Sequence, residues 1–327
     1  MKLSALQYLV AIVECGGIRA ASRHLGVAQP LISRSIQELE RELKVVLFER
    51  AKKGVILTPM GKVFLDRVIR ATGELRRAQD ELDQLRGETR GSLAIGLSMV
   101  TQITLMPEAL QQFRIRYPNV TLNILDSVFP RIVSSLKDGS TDFYIGPVTE
   151  DIPAEMSVQK ILLPKRQIFC RKGHPLAKAK SLKELVGAEW MTSSITAKVE
   201  DEIGPIFLQY GLPQPTPVIH AHAGLTYLLT LANSDLLMAL PHPWTKFPLW
   251  DQLFETIEVK EELPTRPICI VRRTGLPLTP AAEYLCDMFR RAAGYLEESI
   301  LDSETTPTEP PRQGTSSAPR GKPDKVH

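Results

Sequence analysis

At 327 residues the chain is too long for one ordinary domain and suits two or three. Its 43% hydrophobic and 24% charged residues are ordinary for a globular protein, and no apolar run approaches the roughly 18 residues that cross a membrane, which predicts a cytoplasmic protein with no membrane partner. The net charge of +3 hides an uneven distribution: residues 1–61 carry nine Lys/Arg against five Glu, a formal +4, so the remainder sums to −1. A basic N-terminal module on a near-neutral body fits nucleic-acid binding, although a charge of this size is also common on small domains. Four widely spaced cysteines (Cys15, Cys170, Cys269, Cys286) make no CxxC and no metal-ligand pattern with the six histidines. They read as buried small hydrophobes, with a redox role as the alternative.

In chain order, Leu3, Leu6, Val10 and Val13 follow helical spacing and predict a first helix ending near Gly16-Gly17. Ile18 to Leu25 predicts a second, turned at Gly26 in the left-handed conformation. A third begins at Pro30, whose missing N–H costs nothing at a first helical position. Ile32, Ile36, Leu39 and Leu43 face inward at i, i+4, i+7 and i+11. Pro30, Ser33, Arg34 and Gln37 fall on the opposite face, with Gln29 at its tip. Arg pairs with guanine, Gln with adenine, and Ser with a base or phosphate, so this helix-turn-helix presents a candidate reading face. A plain solvated face is the competing reading. Phe48 to Gly61 then predicts a hairpin with a basic turn at Lys52-Lys53-Gly54, a wing whose cations lie against the sugar-phosphate backbone.

Residues 1–61 resemble the winged helix-turn-helix of the LysR-type transcriptional regulators. The residues that carry the resemblance are Ala20-Ala21, Leu25, Gln29-Pro30, Ser33, Ile36, Leu39-Glu40, Leu43, Leu47-Phe48-x-Arg50 and Leu57-Thr58-x-x-Gly61. It implies double-stranded DNA as partner, with Gln29, Pro30, Leu31, Ser33, Arg34, Gln37, Arg50, Lys52 and Lys53 as contacts, and RNA polymerase as a further candidate partner. One departure is Ala28, where the family usually has Ser; alanine offers no cap, a loss of about 1 kcal/mol. Leu31 is also bulkier than is common there, and suits a thymine methyl.

From Pro59 to about Arg86 a further helix is predicted. Phe64, Val68, Ala71, Leu75, Ala78, Leu82 and Leu85 alternate steps of four and three, a heptad seam. We expect it to pair with a second copy, as a reader of paired half-sites requires; packing on the chain's own body is the alternative. The resemblance implies a homodimer through this linker helix, assembled further into a homotetramer.

After Gly91, strands and helices alternate. Strands are predicted at 93–97, 120–125, 142–145, 167–170, 190–191, 218–219, 236–240 and 267–271, with helices at 107–116, 132–137, 182–186, 202–210, 225–233 and 281–291. This order implies mainly parallel sheets covered by helices and two lobes with a cleft, resembling the periplasmic-binding-protein-like effector domain of the same family. The predicted architecture is thus α/β and multi-domain: a winged helix-turn-helix over 1–61, a linker helix over 62–90 and a two-lobed effector domain over 91–295. Lobe I covers about 91–162 and 266–295, lobe II about 163–265, and 296–327 form a disordered tail. Ligands sit at the carboxyl ends of parallel strands, which makes Ser98, Thr101, Gln102, Phe129, Ser193, Ser194, Thr196 and His220 candidates for binding a small-molecule effector, an organic anion or aromatic acid. Ordinary helix caps and turns use the same residue types. Phe129, Trp244 and Trp250 are candidate pocket walls. His220 and His222 lack the further ligands of a metal site, and no nucleophile-base pair, phosphate loop or metal cluster is present. Neither an enzyme nor a cofactor is expected.

Overall fold

The computed structural model describes residues 1–51, 54–193, 203–215, 217–221 and 223–305. Lys52, Lys53, Ser194, Thr196 and His222 lie outside them.

Three helices, α1 (Leu3–Glu14), α2 (Ile18–Leu25) and α3 (Gln29–Leu43), form the N-terminal module. Leu6, Leu9 and Ile12 of α1 and Ala21 of α2 bury themselves against Ile32, Ile36 and Leu39 of α3. Leu3 and Val13 are exposed: the inward face of α1 is Ala5-Leu6-Leu9-Ile12, because two candidate apolar stripes overlap on so hydrophobic a helix. Gly26 ends α2 in the left-handed region with φ 64°. Helix α3 starts one residue before Pro30, with an extended Ala28 that makes no side-chain cap. Glu40 reaches from α3 to accept the backbone N–H groups of Leu47 at 2.7 Å and Phe48 at 3.2 Å. It thereby fixes the entry to strands β1 (Phe48–Ala51) and β2 (Gly54–Leu57), an antiparallel pair in which Ala51 opposes Gly54.

Helix α4 (Pro59–Leu85) is capped by Thr58, whose hydroxyl accepts the Gly61 N–H at 2.9 Å and donates to the Val46 carbonyl at 2.7 Å. Its first turns complete the N-terminal core. Val68 is 3% exposed beside Leu65, and Phe64 is half-buried against the same cluster. Val68 is therefore taken up within the chain, and Phe64 partly so. Beyond them the seam is bare, with Leu75 and Leu82 each 55% and Leu85 70% exposed. The opposite, polar face of α4 docks on the body.

The body holds two sheets. In the first the order is β4-β3-β5-β12-β6, with β3 (Arg90–Leu97) parallel to β4 (Asn119–Asp126) and β5 (Phe143–Pro147). Strand β12 (Ile268–Arg273) runs antiparallel to β5 and to β6 (Met156–Leu162). Its alternation is clear: Ile268 and Ile270 join one core, Cys269 and Val271 the other. Helices α6 (Met106–Arg116) and α11 (Pro280–Thr305) pack together, while α7 (Phe129–Asp138) packs on β5 and β12. In the second sheet β7 (Arg166–Arg171) lies antiparallel between β10 (Met238–Pro241) and β11 (Phe254–Ile257). The parallel pair β8 (Trp190–Ser193) and β9 (Pro217–Ala221) joins it through a bridge from Trp190 to Leu237. Two short helices, α8 (Gly204–Gln209) and α10 (Trp250–Leu253), and the longer α9 (Gly224–Ala232) complete this half.

The sheets are more mixed than β-α-β counting implies, because β12 and β7 enter in the reverse direction. Strands β6 and β11 were not anticipated, and residues 182–185 form a 3-10 turn in place of a helix. Residues 296–305, assigned by composition to the tail, continue α11, held by Leu296, which is buried on the body. The rest of the tail lies outside the described residues. Cys170, Cys269 and Cys286 are buried free thiols, and burial pushes the Cys170 thiol up to about 12, so these sites resist ionisation and oxidation.

Candidate functional site

On α3 the side chains of Gln29, Pro30, Leu31, Arg34 and Gln37 are exposed and Ser33 is half-buried, opposite the buried Ile32, Ile36 and Leu39. Leu31, a bulky apolar group, is 52% exposed. Arg34 donates through Nε to Glu38 Oε1 at 3.1 Å, one turn on. At such exposure this i,i+4 pair is worth a few tenths of a kcal/mol, so it parks the guanidinium along the helix without holding it from a stronger acceptor. A helix with one packed and one exposed polar face has the layout of a recognition helix. Arg50 lies on β1, with its side chain outside the described residues, as are Lys52 and Lys53.

A second feature lies between the two halves of the body. A cavity of about 70 Å³ is walled on one side by Ser98, Met99 and Val100, at the end of β3 and the start of α5 (Met99–Thr104), and by Ser127, Val128 and Arg131 around the N-terminus of α7. Gly224 and Tyr227 of α9, with Leu240 and Trp244, wall the other side. Tyr144 closes the floor; burial pushes its phenol far up, so it stays neutral, and its hydroxyl donates to the Pro147 carbonyl at 3.2 Å. The charged residues lining the cavity are Asp126 and Arg131. Asp126 accepts the Gln102 amide at 3.0 Å, whereas the exposed Arg131 guanidinium pairs with nothing among the described residues. The start of α7 offers no free amide, since Pro130 has no N–H, the Phe129 N–H goes to the Tyr144 hydroxyl and the Arg131 N–H to the Val128 carbonyl, so Arg131 is the group in the lining suited to an anion.

Of the candidates read from the sequence, Ser98 and Trp244 line this cavity. Thr101 does not: it is wholly buried, its hydroxyl 2.9 Å from that of Ser98 and donating to the Ile145 carbonyl at 3.1 Å, and so ties α5 to β5. Gln102 braces β3 to β4 through its bonds to the Leu97 carbonyl and Asp126. The Phe129 ring turns into the core beneath the sheet, 6.1 Å from the Tyr144 ring, since the first turn of α7 points it away from the cleft. Trp250 stacks edge-on against Phe169 at 4.6 Å. His220 is exposed on β9, with Nδ1 3.1 Å from the Thr192 hydroxyl, away from the cavity. The Ser193 side chain, Ser194 and Thr196 are outside the described residues. Sequence reasoning missed Arg131, Tyr144, Gly224 and Tyr227. Arg131 was legible as a cation in the first turn of a helix after a strand end; the others had no local signal. No cluster of metal-ligating side chains occurs among the described residues, and no single described helix is long and apolar enough to cross a membrane.

Comparison with known proteins gives one answer at both ends of the chain. Residues 3–62 match the profile described as bacterial regulatory helix-turn-helix protein, lysR family, and residues 86–294 match the LysR substrate binding domain. The chain is 29% identical over 250 residues to the HTH-type transcriptional regulator GbpR of Rhizobium radiobacter, across 75% of this chain and 83% of that one. Among solved structures it is similar to CbnR, a LysR family transcriptional regulator, with 22% identity and a TM-score of 0.67 over 90% of this chain and 99% of that one. It is equally similar to full-length CbnR complexed with its target DNA, at 21% identity and a TM-score of 0.67 over 89% and 100% of the two chains.

Proposed function

From a chain that belongs to the lysR family, and so is a DNA-binding transcriptional regulator with that family's substrate-binding domain, we propose a regulator switched by a small organic anion held between its lobes. Arg131, unpaired among the described residues, carries this reading at the cleft. A carboxylate there meets the Arg131 guanidinium, with Tyr227 and Trp244 against its apolar body. Binding that favours one lobe arrangement shifts the population toward it, and α4 carries the shift to the reading heads. The chain acts in the cytoplasm and catalyses no reaction in this scheme.

The same experiment tests both ends. In mobility-shift titrations on DNA flanking the protein's own gene, Arg34→Ala should lose about 1–3 kcal/mol of discrimination between sequences. Lys53→Ala should weaken all sequences alike and flatten the salt dependence. Acids that shift the wild-type titration should have no effect on Arg131→Ala. Absence of any specific binding to that DNA sinks the regulator scheme at this locus; an acid response that survives Arg131→Ala sinks the cleft assignment.

We further propose a homodimer paired along α4 through Ala71, Leu75, Ala78, Leu82 and Leu85. Ile124 and Leu125 on edge strand β4, and Val218, Ile219, Leu225 and Leu229 on β9 and α9, are also exposed. An apolar surface besides the α4 seam is what a tetramer built as a dimer of dimers requires. Burying a leucine contributes about 1.5–3 kcal/mol, so the double variant Leu75→Asp/Leu82→Asp should sediment at half the wild-type assembly mass at micromolar concentration. An unchanged mass places the pairing surface elsewhere.

A further inference from the structure

We propose that Met99 and Gly224 together set the size of the acid that the cleft accepts, and that the cleft takes a compact aliphatic acid and excludes an aromatic ring. This rests on the reading of the cleft as an anion site and adds what that reading leaves open, the shape of the ligand's body.

The cavity of about 70 Å³ is small. A water-sized group needs roughly 10–15 Å³ of such space, so about five or six groups fit while the lobes stay as they are. Most walls are fixed. Tyr144, Tyr227 and Trp244 are each 5% exposed or less and belong to packed clusters, while Pro147 and Pro241 have rigid rings. Met99 differs. It is half-buried, unbranched and adaptable in shape, and it crosses from the first lobe to touch the second.

The crossing is visible at Gly224, the first residue of α9. Nothing in the backbone there calls for glycine, since its φ is not in the left-handed region. Space does: a Cβ at Gly224 would lie 2.4 Å from Met99 Sδ, 2.5 Å from its Cγ and 2.7 Å from its Cε. The whole thioether therefore lies over the amide end of α9, in a notch that only glycine leaves open. Met99 and Arg131 line the same small cavity, so a ring held at Arg131 would have to share that space with the thioether. Glycine admits the methionine, and the methionine limits the ligand.

Isothermal titration of the full-length protein with butyrate and with benzoate tests this. Wild type should bind butyrate and bind benzoate at least tenfold more weakly. Met99→Ala opens the notch and should tighten benzoate at least tenfold relative to butyrate. Met99→Leu, of similar volume, should keep the wild-type order and is the control, while Gly224→Ala carries the test where the alanine variant folds poorly. Gly224→Ala should push the thioether into the cleft and weaken butyrate at least tenfold. A benzoate-to-butyrate ratio that is the same in wild type and both Met99 variants, with binding still lost in Arg131→Ala, overturns the size limit and leaves the anion site standing. Binding of neither acid to any variant, or binding unaffected by Arg131→Ala, overturns the anion site and the size limit with it.

Discussion

Replacing Arg77 with methionine should cost about 3–5 kcal/mol of stability, and much of that loss should disappear on acidification. Arg77 lies on the polar face of α4 with its side chain 11% exposed. It donates to the Gly139 carbonyl at 2.7 Å, to Asp142 Oδ1 at 3.0 Å and to Glu74 Oε1 at 2.9 Å, and Arg273 shares that last carboxylate. The Asp142 side chain is 4% exposed, and its second oxygen takes the Ala94 N–H of β3 at 2.8 Å. Burial alone raises the Asp142 carboxyl above its usual range; the Ala94 N–H and Arg77 pull the other way. Without Arg77 the charge is buried and uncompensated, and its pKa climbs further. A raised carboxyl favours the folded state when protonated, so Asp142 penalises the variant most at neutral pH and progressively less as pH falls through its folded value. Glu74 behaves oppositely. Hydrogen bonding and attraction from Arg273 and Arg77 outweigh burial and hold it below its usual range, so its contribution to the wild type is present above the ordinary carboxylate range and fades in acid. The gap between wild type and variant should therefore narrow from both sides. Urea melts at neutral and mildly acid pH measure it. Adding Asp142→Asn should recover stability at neutral pH, because no charge is then left alone; a gap independent of pH would mean that the loss is one of packing.

The position of this cluster also matters for signalling. Strand β3 begins beside α4, where Arg76 donates to the Ser92 hydroxyl at 2.6 Å, is held at Ala94 by Asp142, and ends one residue before Ser98 at the cleft. Gln84 adds a further tie, accepting the Ala281 N–H at the start of α11 at 2.9 Å. The helix that carries the DNA-reading module is thus bonded to the strand and helix that frame the ligand site. None of this was legible in the chain. Arg76, Arg77, Asp80 and Glu74 lie off the heptad seam, where charged residues normally read as solvated, and only the docking of Gly139 and Asp142, more than sixty residues away in sequence, makes Arg77 interior.

What the sequence did carry was periodic or punctuated. The inward face of α3, the glycine turn at Gly26 and the extent of α4 each follow from local spacing and match the structure. Strand ends pointed to Ser98 because the rule concerns chain position. The same rule could not say which way Thr101 or Phe129 would turn, since that depends on helix phase, nor which lobe II residues would close over them. Helix α5 was hidden by its Val-Thr-Ile-Thr composition, weak in helix propensity. The end of α3 carries no glycine signal, because Lys44 takes the left-handed position at φ 56°.

Gly61→Ala should disable DNA binding while sparing the body. Its φ is not left-handed, so the constraint is again space, but of a harder kind than at Gly224: a Cβ would lie 2.2 Å from the Leu47 carbonyl oxygen and 3.0 Å from its carbon. That carbonyl cannot retreat. It accepts the Thr58 N–H at 3.0 Å, the Leu47 N–H is held by Glu40, and the Leu47 side chain is wholly buried. The first turn of α4 must move instead, drawing Leu65 and Val68 out of the N-terminal core and the wing away from α3. Overpacking against a fixed neighbour costs about 1–3 kcal/mol or more, and here it falls on the N-terminal module's own core. Thermal unfolding should show an early transition for the N-terminal module, with mobility-shift affinity lost and acid binding in the cleft retained. Gly294→Ala is the matched comparison. It lies exposed on α11 with nothing within 4 Å of its Cβ, so the same substitution should stabilise by about 0.5–1 kcal/mol through helix propensity alone. Equal behaviour of the two variants would remove the steric account of the Thr58-x-x-Gly61 pattern. Opposite signs would show that the first of these glycines is required by its neighbours and the second is not.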